Sequence, residues 1–121
     1  MPKLLIVEDE PILREMYLQG FSKEGIEVLA TKTAEDGLAI AKEQPLDLIL
    51  LDVLLPKASG IEMLEKLRQD EQTKDIRVVV FSNYDTKQSK EKALALDALD
   101  YLIKTNYTPQ EIIKKVKQCL K

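Results

Sequence analysis

Short apolar runs alternate along this chain with longer stretches in which apolar residues recur at helical spacing. Leu4-Leu5-Ile6-Val7 is the first run, closed by Glu8-Asp9-Glu10-Pro11. An unbroken apolar run of this length predicts a strand buried on both faces. Pro11 suits the first turn of a helix. Ile12, Leu13, Met16, Tyr17 and Phe21 then follow at the spacing of one helical face, with Gly25 as the stop. Ile26 to Thr31 predicts a second strand. Thr33 with Asp36 is a capping arrangement, and it predicts a helix that carries Leu38 and Ala41 and ends at Pro45. Leu48-Ile49-Leu50-Leu51 predicts a third buried strand, with Asp52 at its C-terminal mouth and Val53 to Pro56 turning the chain away.

The second half repeats this rhythm. Ser59-Gly60-Ile61-Glu62 reads as a capping box opening a helix with Ile61, Leu64 and Leu67 inward. Ile76 to Phe81, with three successive valines, predicts a fourth strand ending at Ser82-Asn83. Asp85 or Thr86 can cap the next helix, whose apolar content (Ala93, Leu94, Ala95, Leu96) is thin. Leu99 to Ile103 predicts a fifth strand ending at Lys104. Thr108-Pro109-Gln110-Glu111 is a second capping box, opening a helix that buries Ile112, Ile113, Val116, Cys119 and Leu120. Strands alternating with helices predict a parallel sheet with helices on both faces, as one α/β domain over residues 1–121. No internal linker, repeat or low-complexity segment interrupts it, and the expectation is that nothing remains to encode an output domain.

Composition narrows the function classes. Hydrophobic residues at 45% with 32% charged describe a globular chain, and a net charge of -3 argues against direct nucleic-acid binding. The charge is uneven: residues 1–82 carry 10 Lys/Arg against 16 Asp/Glu, and residues 83–121 carry 8 against 5. The basic last third reads as solvated helix faces that would also favour an acidic partner. The absence of histidine removes His-based triads, His metal sites and a phosphohistidine of the chain's own. Cys119, the single cysteine, cannot form an internal disulfide and reads as an inert thiol on an apolar face. The apolar start at Leu4 to Val7 is too short for a signal peptide or membrane span, so a cytoplasmic location and no membrane partner are expected.

The chemistry lies at the strand ends. Every predicted strand except the second delivers a functional polar group to one edge of the sheet: Glu8 and Asp9, then Asp52, Ser82 and Lys104. In a doubly wound sheet those ends converge on one crevice. Any one of these residues alone also reads as a solvated turn residue. Clustered carboxylates repel one another unless a hard cation such as Mg²⁺ sits among them on oxygen ligands. Lys104 offers a movable point charge for a phosphoryl oxygen and Ser82 a hydroxyl. Carboxylate, magnesium, lysine and hydroxyl are the parts needed to phosphorylate an aspartate.

This set resembles the receiver domain of bacterial two-component response regulators over the whole chain. The resemblance rests on Val7-Glu8-Asp9-Glu10, Asp52 with Pro56 and Gly60 following, Ser82, and Asp100-Tyr101-Leu102-Ile103-Lys104. It implies a flavodoxin-like (βα)5 three-layer sandwich with strand order 2-1-3-4-5. It also implies a phosphoryl group passing to Asp52 from a histidine kinase or phosphotransfer protein. Asp9 and Asp52 with the backbone carbonyl of Leu54 would bind Mg²⁺, with Glu8 acting largely through water. Ser82 and Lys104 would contact the phosphoryl oxygens, and Tyr101 would swing inward when Ser82 is drawn to the phosphate. A surface formed by the fourth helix, fifth strand and fifth helix would then meet a downstream effector domain or protein, as a monomer or phosphorylation-dependent dimer. The only chemistry implied is self-catalysed phosphoryl uptake and autodephosphorylation, not enzymatic turnover.

Three positions depart from the family's habit. Thr105 replaces the proline that usually follows the lysine, and a cis bond before a non-proline costs about 3–4 kcal/mol, so a trans Lys104-Thr105 peptide is expected. Asn83 follows Ser82 where a smaller residue is usual. Asp97 occupies a turn position usually held by glycine; Asp can adopt the left-handed conformation there, at some cost. Other functions fit less well. A magnesium-dependent aspartyl phosphohydrolase generally needs an acid two residues after the nucleophile, where this chain has Leu54. A flavodoxin-like electron carrier would find its phosphate repelled by Glu8-Asp9-Glu10. A phosphorylation-independent pseudo-receiver would not need the intact acids, Asp52 and Lys104.

Overall fold

A computed structural model describes residues 1–83 and 86–120, and in it the alternating pattern becomes a five-stranded parallel sheet between two layers of helices. The elements are β1 (Lys3–Val7), α1 (Pro11–Ser22), β2 (Glu27–Thr31), α2 (Ala34–Glu43), β3 (Leu48–Asp52) and α3 (Gly60–Gln69). They continue as β4 (Val78–Ser82), α4 (Lys87–Ala95), β5 (Asp100–Ile103) and α5 (Pro109–Cys119). The sheet order is β2-β1-β3-β4-β5, the expected flavodoxin-like arrangement.

Period-two alternation along each strand divides the core between the two faces. Leu4, Ile6, Leu48, Leu50, Val79, Phe81 and Leu102 pack with Tyr17 and Phe21 of α1 and Ile112 and Val116 of α5. Leu5, Val7, Ile49, Leu51, Val78, Val80 and Tyr101 pack with α2, α3 and Ala93 of α4. β3 lies at the centre and is buried along its whole length, which brings Asp52 to the middle of one sheet edge. The register sets Asp52 beside Phe81 and Ser82 beside Ile103, so the C-terminal strand ends open side by side.

Side-chain caps fix where several helices begin. Thr33 accepts from the Asp36 N–H at 3.1 Å and Ser59 from the Glu62 N–H at 3.1 Å. Thr108 and Glu111 close both halves of a capping box, the one complete box among the described residues; at Ser59 the forward half forms. Of the two candidate caps for α4, Thr86 accepts from the Ser89 N–H at 3.4 Å, and Asp85 lies outside the described residues. Gly25 is in the left-handed region at φ 78°, three residues past α1, closing the turn into β2.

Other expectations need correcting. Ile12 shares the helical spacing of the apolar residues of α1 but is 78% exposed in its first turn. β4 begins at Val78, not Ile76, because the Ile76 carbonyl is taken by the Arg68 guanidinium at 2.7 Å. That same side chain donates to the carbonyls of Lys74 (2.9 Å), Leu96 (2.8 Å) and Asp97 (3.4 Å), so the end of α3 grips the turn between α4 and β5. Burial holds the Arg68 pKa below its ordinary value, opposed by nearby Asp97 and Asp75. Asp97 adopts the left-handed conformation at φ 63°. α4 is thinly held: Ala93 is its buried residue, and Leu94 is 45% exposed. Among the described residues no helix is long and apolar enough to cross a membrane.

Candidate functional site

The sheet edge carrying Asp52 collects the charged residues that the sequence places at strand ends. Glu8 continues β1 by one residue, and its N–H donates to the Thr31 carbonyl of β2 at 3.0 Å. This backbone bond turns its side chain into the crevice, where Oε1 accepts from the Glu10 N–H at 3.2 Å. Lys104 enters from the far side of the sheet. Its Nζ lies 2.6 Å from Glu8 Oε2 and 3.0 Å from Asp52 Oδ2, with all three side chains at most 7% exposed. The same ammonium sits 4.4 Å from the centroid of the Phe81 ring, whose π face favours a cation. Phe81 meets Tyr17 edge-on at 5.6 Å, so the charged cluster rests on an aromatic floor.

Burial dominates the protonation of the cluster. It raises the Glu8 pKa above the ordinary carboxyl value; the hydrogen bond from Lys104 opposes the rise, and the negative charge of Asp52 adds to it. Burial likewise pushes the Tyr17 hydroxyl up to about 12, with Glu8 as the second cause.

Asp9 completes the acidic group from the exposed side. Glu8, Asp9 and Asp52 each place one carboxylate oxygen within 4.8 Å of the others. Lys104 pairs with two of these acids and leaves the group in excess of negative charge. An all-oxygen donor set with uncompensated charge fits a hard divalent cation such as Mg²⁺.

The loop beyond Asp52 is fixed by backbone contacts. The Leu54 N–H donates to Asp52 Oδ1 at 3.3 Å, and the Gly60 N–H donates to the Val53 carbonyl at 2.7 Å. A Cβ at Gly60 would stand 2.0 Å from the Asp52 carbonyl oxygen, so only glycine lets α3 start this close to β3. Lys57, within the same loop, holds φ 68°. Leu54, whose carbonyl is the implied fourth ligand, is 60% exposed beside the acids.

Ser82 is fully buried at the end of β4. Tyr101 is 5% exposed and packs with the α3 and α4 face, so the ring expected to swing inward already lies inside. Asn83 is exposed. Lys104 to Asn106 form a 3-10 turn, and no cis peptide is present among the described residues, so Lys104-Thr105 is trans as expected. Thus Glu8, Asp9, Asp52 and Lys104 form one cluster, with Ser82 and Tyr101 on the two strands adjoining it.

The family model for the response regulator receiver domain matches residues 4–117. The chain belongs to this receiver domain family. This receiver domain is 34% identical over 118 residues to the phosphate regulon transcriptional regulatory protein PhoB of Pseudomonas aeruginosa, covering 98% of this chain and 51% of that protein. It is 31% identical over 121 residues to the DNA-binding dual master transcriptional regulator RpaA of Synechocystis, covering 100% of this chain and 50% of the other. The chain therefore spans about half the length of these curated relatives. Among solved structures, a CheY-like receiver domain from Methanospirillum hungatei is 28% identical with a TM-score of 0.90, covering 99% of this chain and 94% of that one. The response regulator TrrA of Thermotoga maritima, solved in complex with Mg²⁺-BeF, is 28% identical with a TM-score of 0.85, covering 98% and 99%.

Sequence reasoning passed over two residues that shape the receiver site. Phe81 read as one more apolar strand residue, and only the register places its ring beneath Lys104. Arg14 stands outside the apolar pattern and the strand-end residues, yet its Nη1 donates to the Glu8 carbonyl at 3.0 Å and the Asp9 carbonyl at 3.2 Å. A basic residue one turn into the helix that follows an acidic loop was the available signal.

Proposed function

We propose that this receiver domain takes a phosphoryl group onto Asp52 from a phosphohistidine of a kinase or phosphotransfer protein. The observation that carries the reading is Asp52 itself: 5% exposed at the mouth of the central strand, bonded to Lys104, with Glu8 and Asp9 beside it. An Asp52 carboxylate oxygen attacks phosphorus, the P–N bond breaks, and the departing imidazole takes a proton from solvent. Asp9, Asp52, the Leu54 carbonyl and, through water, Glu8 would hold Mg²⁺, which supplies positive charge for the phosphoryl oxygens. Lys104 is already aimed at Asp52 and needs only to exchange a carboxylate partner for a phosphoryl oxygen. Ser82 supplies a hydroxyl from the adjacent strand. The module turns over no external substrate beyond its own phosphoryl uptake and loss.

Output is assigned to α4, β5 and α5. Thin packing of α4 makes it the element easiest to displace. With Tyr101 already inside, the phosphoryl group would act by shifting an existing equilibrium, not by creating a new fold. The effector surface is assigned to the same face, in a cytoplasmic protein.

Incubation with acetyl phosphate and Mg²⁺ followed by intact-mass measurement tests the acceptor. The mass should rise by one phosphoryl group, and Asp52→Asn should abolish the rise; equal uptake by that variant would exclude Asp52. Calorimetry should show Mg²⁺ binding sharply weakened in Asp9→Ala. A beryllofluoride complex should move amides along α4 and β5, and shifts confined to the crevice would sink the output assignment.

A further inference from the structure

We propose that Arg14 is a positioning residue for the divalent-cation site, setting the direction of the Asp9 carboxylate through the backbone that carries it. The inference rests on the cation reading given above and extends it to a residue outside the acidic group.

Arg14 reaches the turn that carries Glu8 and Asp9, yet among the described residues it makes no ion pair with a carboxylate. Its Nη1 instead donates to two successive carbonyls, Glu8 at 3.0 Å and Asp9 at 3.2 Å. Those carbonyls belong to the turn between β1 and α1, where the helix has no side-chain cap of its own: Glu10 holds the N-cap position without a capping bond. The Arg14 backbone N–H donates to the Glu10 carbonyl at 2.9 Å, so this one residue ties three consecutive peptide units of the acidic turn.

The two acids of the turn differ in what else holds them. The Glu8 carboxylate is pinned by the Glu10 N–H and by Lys104. Asp9 is exposed, and among the described residues its carboxylate has no hydrogen bond or ion pair. The backbone therefore sets where this side chain starts and which way its Cα–Cβ bond points, and Arg14 holds that backbone at the Asp9 carbonyl. An outer partner that orients a metal ligand typically changes affinity about 10- to 100-fold when removed.

Charge predicts the opposite sign. A guanidinium near the site repels an arriving cation, so its removal should strengthen binding if Arg14 acts only as a charge. Titration of Mg²⁺ into the full chain by calorimetry separates the two. Arg14→Ala should weaken Mg²⁺ binding about tenfold. Arg14→Lys, which keeps the charge and loses the planar donor geometry, should weaken it also. In an Asp9→Ala background, Arg14→Ala should have little further effect, because the ligand it positions is gone. Urea unfolding without Mg²⁺, run on each variant, tells loss of the turn from loss of the fold; should Arg14→Ala unfold, Arg14→Lys carries the test. Mg²⁺ binding that is unchanged or tighter in both variants overturns the proposal and leaves the cation reading standing. Absence of Mg²⁺ binding by the unaltered chain overturns both.

Discussion

The Lys104 ammonium lies 2.6 Å from Glu8 Oε2, closer than the 3.0 Å that separates it from Asp52 Oδ2. Both contacts are buried, so Lys104 offsets carboxylate repulsion that water screens little. Lys104→Met should leave Glu8 and Asp52 without their shared cation and destabilise the fold by about 3 kcal/mol. Mg²⁺ should restore part of that loss, because it neutralises the same acids. Urea unfolding with and without Mg²⁺ checks this; equal stability of variant and parent in metal-free buffer would show that the pairs contribute nothing net.

Gly60→Ala should be among the most damaging single-methyl changes in the chain. The added Cβ would meet the Asp52 carbonyl at 2.0 Å, a backbone atom that cannot swing aside. The expected loss is about 2 kcal/mol or more, from displacement of α3. Gly25→Ala makes the control: nothing lies within 4 Å there, and the loss should be about 1 kcal/mol, from its positive φ of 78° alone. Denaturation midpoints of the two variants give the comparison.

Lys57→Gly should move stability the other way. A lysine at φ 68° carries conformational strain that glycine lacks, and the gain should be about 1 kcal/mol at most, since glycine also loosens the unfolded chain. A midpoint shift to lower denaturant would mean that the lysine side chain has contacts that outweigh its backbone strain.

Tyr17 should titrate above the ordinary tyrosine range. Its folded-state pKa, raised from 10.0 to about 12, means the folded protein keeps a proton that the unfolded chain has already released. Stability assisted by neutral Tyr17 is thus complete below pH 10 and lost as pH rises from about 10 toward 12. Ultraviolet absorbance of tyrosinate should show one late component, and Tyr17→Phe should remove it. A tyrosinate titration that Tyr17→Phe leaves unchanged at high pH would contradict this.

Most of the architecture was legible because each element is marked twice, by periodicity and by a terminal signal. Leu48 to Leu51 is apolar at every position and is buried at every position, and the caps at Thr33, Ser59 and Thr108 all form. What periodicity could not supply was the reach of individual side chains. Ile12 satisfies the helical spacing but is exposed in the first turn of α1. The start of β4 moved by two residues because a guanidinium on α3, distant in sequence, takes the Ile76 carbonyl. The acids and Lys104 were identifiable as residues of one crevice from strand ends alone, whereas their pairing depends on distances that only the folded sheet defines. Arg14 acts through carbonyls, and a pattern of side-chain types carries no trace of which carbonyl an arginine meets.

The grip of Arg68 on the end of α4 makes that helix a lever. Its fulcrum is the turn at Leu96 and Asp97, clamped by bonds of 2.8 and 3.4 Å from a side chain rooted in α3. At the opposite end Thr86 caps the helix with a long 3.4 Å bond, and Ala93, the buried residue of the helix among those described, lies close to the fulcrum. Were α4 to move on phosphorylation, as proposed, this clamp would make it pivot at Leu96, and its travel would grow with distance from that end. The long arm would then be the Thr86 end, the one nearer Ser82 in the chain.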